Sequence, residues 1–330
     1  MKKWLALVLK IAVSAALIWY LVSNIDVDAA KTRIAQVDLQ MLLLSTGFLL
    51  FQIVIGGLRW SAVLKAVQVP LGFWETFRLF YIGVFFNQAL PGGTGGDAMR
   101  VYMVYKAGLG LRGALNGVIL ERVATVLALV ILVLVTQPFF LSNLDAASRA
   151  WVVPSIAVVS IGAFSGVALL CVLDRLPEKF RRWRVVRGLG NLASDARIVF
   201  LNPFNAVRVL GWSITGHVNI SLSVFILALG LNLNITALDS IVLMPPVLLV
   251  MTLPISIGGW GVRENAMVVA FGMVAVSAEA ATVLGLLLGL VGLATAIPGG
   301  LLWMVRRDRG AATMSEAEAE LAAASNAEKS

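Results

Sequence analysis

Cysteine and histidine are almost missing: Cys171 and His217 are the single copies of each in 330 residues. One cysteine excludes an intrachain disulfide and a thiolate metal cluster. One histidine excludes a His-rich zinc centre, and with Cys171 at the end of the apolar run 163–173, it excludes a Cys–His dyad. Charge is scarce as well, at 13% of residues against 59% hydrophobic. Ordinary soluble domains carry about 25% charged and about 45–50% apolar residues, so this chain has too little polar surface to cover itself in water. No G-x4-G-K-S/T phosphate loop is present, which argues against ATP hydrolysis within the chain, and no Asp-rich metal–diphosphate spacing occurs. No cofactor and no metal are expected.

The charge that is present is mostly basic, 26 Lys and Arg against 18 Asp and Glu, a net +8. These residues punctuate apolar runs rather than forming one patch. That pattern fits short cytoplasmic loops and anionic headgroups, and excludes nucleic acid as the partner. Six runs are long enough for a hydrocarbon layer of about 30 Å, which takes about 20 helical residues: 4–23, 40–58, 113–136, 150–173, 206–230 and 280–304. The first has the charged front of a secretory signal but continues apolar past its small residues, so it is read as a retained span. Lys2 and Lys3, Arg59, Lys65 and Arg78, the basic loop after 174, and Arg306, Arg307 and Arg309 all fall on one side if both termini are cytoplasmic. Trp4, Trp60, Trp74, Trp212 and Trp303 then form an inner aromatic belt, and Trp19, Tyr20 and Trp151 an outer one. Trp260 fits neither.

Two apolar segments are too short to cross. Residues 77–90 stop at Pro91-Gly92-Gly93-Thr94-Gly95-Gly96-Asp97, and the segment 240–276 breaks at Leu253-Pro254-Ile255-Ser256-Ile257-Gly258-Gly259-Trp260-Gly261. Each reads as a re-entrant helical hairpin, the first entering from the cytoplasm and the second from outside. Leu90-Pro91, Gly95-Gly96 and Arg100 recur as Leu253-Pro254, Gly258-Gly259 and Arg263 at one constant offset of 163 residues, an L-P-x3-G-G-x3-R pattern. The expected fold is therefore an all-α polytopic membrane protein. It has about six full spans and two hairpins related as an inverted-topology repeat, with halves 40–136 and 206–304 in one domain, 1–309. The loop 174–205 reads as an amphipathic cytoplasmic helix on the inner headgroups, and 310–330 as a disordered cytoplasmic tail.

A charge at bilayer centre costs about 2.5–3.5 kcal/mol on insertion scales, so each intramembrane ion needs a partner or water. Arg100 and Arg263, with Asn87, Gly95, Gly96, Gly258 and Gly259, are the candidate substrate-binding residues. Asp97, Glu121, Arg122 and Glu264 are the candidate charge partners or proton carriers. Glu121 and Arg122 are neighbours on a helix and point to different sides, so each requires a partner on another element. Blander roles stand beside these. Asp97 is placed to N-cap a helix from Ala98, Arg100 and Lys106 to snorkel to the cytoplasmic face, and Arg59 to mark an inner span end. His217 is placed for a helix–helix hydrogen bond rather than proton transfer, and Asn87 and Gln88 for interhelical hydrogen bonds.

The stretches 87–100 (NQALPGGTGGDAMR), 120–122 (LER) and 253–264 (LPISIGGWGVRE) resemble, in order, the signatures of the lysylphosphatidylglycerol synthase transmembrane-region family, also described as flippase-like. The resemblance reaches to about Arg307. It implies a lipid translocase of the cytoplasmic (inner) membrane acting on an anionic phospholipid or a polyprenoid- or hopanoid-type lipid, with lipid-pathway enzymes as possible partners. In bifunctional relatives a separate cytosolic domain transfers lysine. After Arg309 this sequence holds only a short tail, so no enzymatic activity is expected. The competing expectations are a membrane-embedded lipid-modifying transferase, which would use Asp97 and Glu121 as acid and base, and a small-solute or ion transporter on the same scaffold.

Overall fold

The computed structural model describes residues 19, 27–69, 71–89, 95–107, 109–141, 146–175, 184–253, 256 and 259–305. The expected span 4–23, apart from Trp19, and the tail 310–330 lie outside them, as do both proline-containing tips and Gly258. Among the described residues there are eleven α-helices and no strand. They are α1 (Val27–Ala35), α2 (Leu39–Ala66), α3 (Phe73–Ala89), α4 (Gly95–Lys106), α5 (Leu111–Leu141), α6 (Ala146–Val172), α7 (Arg184–Phe200), α8 (Pro203–Gly230), α9 (Ala237–Met251), α10 (Val262–Gly272) and α11 (Ala278–Val305). Five of them, α2, α5, α6, α8 and α11, are long and apolar enough to cross a membrane. The chain is an all-α polytopic membrane protein.

Each long helix outruns the apolar run that marks it in the sequence. α2 and α8 both have 28 residues, about 42 Å at 1.5 Å per residue, which covers the hydrocarbon layer and most of the headgroup region. Asp38 and Asn202 cap their N-termini by accepting backbone N–H groups, and the chain leaves both through a left-handed residue, Gln68 (φ 59°) and Asn232 (φ 56°). The four short helices α3, α4, α9 and α10 have 17, 12, 15 and 11 residues. At about 16–26 Å none reaches across a layer of about 30 Å.

The order long, short, short, long appears twice, in α2–α5 and α8–α11, with helix starts shifted by 164, 164, 167 and 167 residues (203−39, 237−73, 262−95, 278−111). The packing follows the same exchange. α3 lies on α11 as α9 lies on α5, α2 on α11 as α8 on α5, and α2 on α5 as α8 on α11. Within each unit the short helices pack on each other and on their flanking long helices in the same pattern. The two units meet at α2 and α8, which run antiparallel: Ser45 bonds Ser223, Asn219 Nδ2 donates to Phe48 O, and Gly216 sits against Gln52. Each unit has its own apolar core, one around Trp60, Leu79 and Ile82, the other around Leu227, Met244 and Phe271.

α6 packs on α5 and α7 and is otherwise largely exposed. In the loop expected on the headgroups, α7 carries Leu192, Ala196 and Val199 into a third cluster with α2, α5 and α8. Asn116 of α5 donates to Asp195 of α7 (2.6 Å), so these apolar residues are covered by protein.

Candidate functional site

Where α2, α4 and α5 converge, five charged side chains form one chain of contacts. Arg59 donates Nε and Nη2 to Glu121 Oε1 (2.9 and 2.6 Å), and Arg100 Nη1 donates to Glu121 Oε2 (2.7 Å). Arg100 Nη2 donates to Asp97 Oδ1, and Arg122 Nε to Asp97 Oδ2 (2.7 Å). All four carboxylate oxygens therefore accept from a guanidinium. The cations outnumber the anions three to two. The adjacency of Glu121 and Arg122 is what threads the chain: one side of α5 gives Glu121 to the interior, the next gives Arg122 to Asp97.

Exposure runs along the network in a gradient. The side chains of Arg100 and Glu121 are 3% and 2% exposed, Arg59 10%, Asp97 14%, and Arg122 49%. Arg100 is also covered by the rings of Trp60 (4.9 Å to its centroid) and Phe80 (5.2 Å), a stacking that suits a planar guanidinium. The arrangement is a closed interior with one open end, and that end is Arg122, whose Nε is bonded to Asp97.

Four expectations are corrected here. Arg59 does not mark a span end: α2 continues through it to Ala66, because its charge is balanced by Glu121 rather than by water. Asp97 is not an N-cap, since α4 already begins at Gly95, which leaves the carboxylate free for Arg100 and Arg122. Arg100 does not snorkel, and Trp60 belongs to no interfacial belt, being fully buried beside it. Asn87 has a defined role, with Oδ1 accepting from Gly96 N (2.9 Å) and tying α3 to α4. Gly96 itself permits that approach, because a Cβ there would collide with Gly83 O. Gly95 opens α4 and is part-buried.

The second motif is built differently. Arg263 donates Nε (3.0 Å) and Nη2 to Glu264 Oε1, while Glu264 Oε2 accepts from Gly261 N (2.6 Å). Trp260 stands where the offset of 163 puts the counterpart of Asp97, and its ring lies 4.6 Å from the Arg263 guanidinium. The backbone reaches this arrangement through Gly259 and Gly261 at φ 80° and 81°, a region that costs other residues steric strain. α11 has no charged residue after Glu279, so this half lacks any equivalent of Glu121 and Arg122.

Neither hairpin packs extensively on the other; α11 lies between α3 and α10 and touches both through glycines. Gly285 faces Glu264 and Met267, Gly289 faces the Arg263 guanidinium, Gly292 faces Gln88, and Gly299 faces Tyr81 O. Gly289 and Gly292 are less than one turn apart, about 4.5 Å along the axis, so the end of α3 and Arg263 arrive at neighbouring levels of one helix.

Comparison with known proteins bears on this arrangement. Residues 7–300 match the family model described as the lysylphosphatidylglycerol synthase TM region. The chain belongs to this family. It is also 26% identical over 129 residues to the UPF0104 membrane protein PH1989 of Pyrococcus horikoshii, covering 39% of this chain and 36% of that protein. No solved structure matches.

In this member of the lysylphosphatidylglycerol synthase TM-region family, two residues of the candidate site lie outside the motifs of its sequence, Arg59 and Gly289. An unpaired Glu121 in an apolar helix demands a cation from another helix, which was the available signal for Arg59. The spacing of Gly285, Gly289 and Gly292 was the signal for a helix approached closely by others. His217 lies against the same region, with Nε2 3.1 Å from Thr125 O across α8 and α5.

Proposed function

We propose that this protein is a lipid translocase of the cytoplasmic membrane, with both termini inside, that passes a phosphate-bearing headgroup through the bilayer interior. In this reading α3–α4 and α9–α10 are re-entrant hairpins from opposite faces, related by an inverted-topology repeat whose axis runs between α2 and α8. The observation that carries it is Arg122, twelve residues into a spanning helix yet half exposed, with its Nη edge beyond the bond to Asp97. An open guanidinium edge at that depth presents two parallel donors suited to a phosphate oxygen pair. Arg263, bonded to Glu264 and 5% exposed, supplies the second positive group when a headgroup phosphate takes the place of that carboxylate. Arg100, saturated by two carboxylates, holds the network in place instead of meeting the lipid.

Transport is favoured over bond chemistry because each oxygen of Asp97 and Glu121 already accepts from arginine. A carboxylate held by guanidinium groups has to give up those contacts to take a proton, which makes it a poor general base. The same pairing argues against either carboxylate as a proton carrier.

The test is leaflet exchange in vesicles of phosphatidylcholine containing a trace of fluorescent phosphatidylglycerol, read by chemical quenching of the outer leaflet. Arg122→Gln is expected to slow exchange of the anionic probe at least tenfold, the factor worth about 1.4 kcal/mol, with thermal stability near that of the parent. Arg263→Gln is expected to do the same. Parental exchange in both folded variants overturns the assignment.

A further inference from the structure

An apolar groove of about 500 Å³ opens between α6 on one side and α9 and α10 on the other, with α5 as its floor. This lies within the roughly 300–1,000 Å³ range of ligand sites. Val130 and Val133 come from α5, Val159 from α6, Val250 from α9, and Val269 and Ala270 from α10. Among its lining side chains only Ser155, Ser160 and the Trp151 indole carry a polar atom, and the Ser155 hydroxyl is turned back onto Trp151 O (2.8 Å). No charged group lines it, so it suits an apolar occupant.

The floor and one wall are at membrane depth, since α5 and α6 are long and apolar enough to span. Yet α6 does not pack extensively on α9 or α10; the two walls face each other across open space. An unfilled apolar gap forfeits dispersion contacts on every side, and the hydrocarbon layer supplies the material that restores them. One end of the groove is anchored by position on α10. Ala266 and Ala270 follow Arg263 by three and seven residues, so they share its face of the helix. The lining therefore stops about 4.5 Å along the helix axis from the backbone of Arg263.

We infer that this groove is a binding site for one hydrocarbon chain of a membrane lipid, held between α6 and the α9–α10 hairpin. Occupancy by a chain follows from the groove's own geometry. Its role in presenting that lipid to Arg263 rests on the transport reading.

The experiment uses the full chain in phosphatidylcholine vesicles containing phosphatidylglycerol with a photoactivatable diazirine at mid-chain, followed by mass-spectrometric mapping of labelled residues. Labels are expected to concentrate on the lining of α5, α6, α9 and α10. Val269→Trp fills the groove from an exposed position and needs no core space. It is expected to cut labelling of the other walls about tenfold. Ile161→Trp, on the exposed side of α6 and outside the lining, is expected to leave it unchanged. Val159→Phe fills the same space from the opposite wall and repeats the test independently. Labelling spread evenly over all lipid-facing helices, or unchanged in Val269→Trp and Val159→Phe, overturns the site. Preserved labelling with no leaflet exchange keeps the chain site and removes only its link to transport.

Discussion

Removing the Glu121 carboxylate strands Arg59. Arg100 keeps Asp97 as a partner, but Arg59 makes its two charged hydrogen bonds to Glu121 alone, and its side chain is 10% exposed. Leaving one member of a buried pair uncompensated costs about 3–5 kcal/mol. Glu121→Leu is therefore expected to lower the unfolding free energy by about 3 kcal/mol, roughly a hundredfold in the unfolding constant. Arg59→Met/Glu121→Leu removes both charges while keeping apolar volume, and is expected to recover most of that loss. Denaturation of the full chain in mixed micelles, followed by tryptophan fluorescence, measures both; Trp60 packs within the region that opens. The reasoning fails if Glu121→Leu stays within about 1 kcal/mol of the parent, or if the double variant is less stable than the single.

Backbone collisions separate the glycines. Gly96→Ala drives a methyl into Gly83 O and Gly299→Ala into Tyr81 O, so each is expected to cost about 1–3 kcal/mol, whereas Gly47 faces open space and Gly47→Ala is expected to gain up to about 1 kcal/mol. The same denaturation assay ranks them, and equal effects at the three positions contradict the packing. His217→Ala removes one interhelical hydrogen bond to Thr125 O and is expected to cost about 0.6 kcal/mol. Leaflet exchange in that variant should keep the parental pH dependence; a shifted pH profile would make His217 a proton carrier.

The long helices were legible because period, length and apolarity agree over many residues. What escaped was pairing at a distance. A hydropathy window reads Arg59 as the point where a span meets water, since nothing within its own helix shows a carboxylate 62 positions later. Asp97 looks like a cap because local rules start the helix after the glycines, at Ala98, and show neither its start at Gly95 nor Arg122, 25 positions on. Trp60 was assigned to an interface by its place near a span end, whereas its burial is decided by Arg100 on another helix. α7 was readable as amphipathic, but an apolar face does not say whether lipid or protein will cover it.

The exchange of α2–α5 with α8–α11 maps each packed helix pair onto another, yet the ion chain of Arg59, Glu121, Arg100, Asp97 and Arg122 exists on one side only. In the other unit the charged pair Arg263–Glu264 lies within one helix, so among the described residues no ion pair joins its helices to one another. Parting α2, α4 and α5 has to break buried charge pairs, whereas parting their counterparts gives up apolar and glycine contacts alone, so two halves of one architecture differ in what it takes to move their helices.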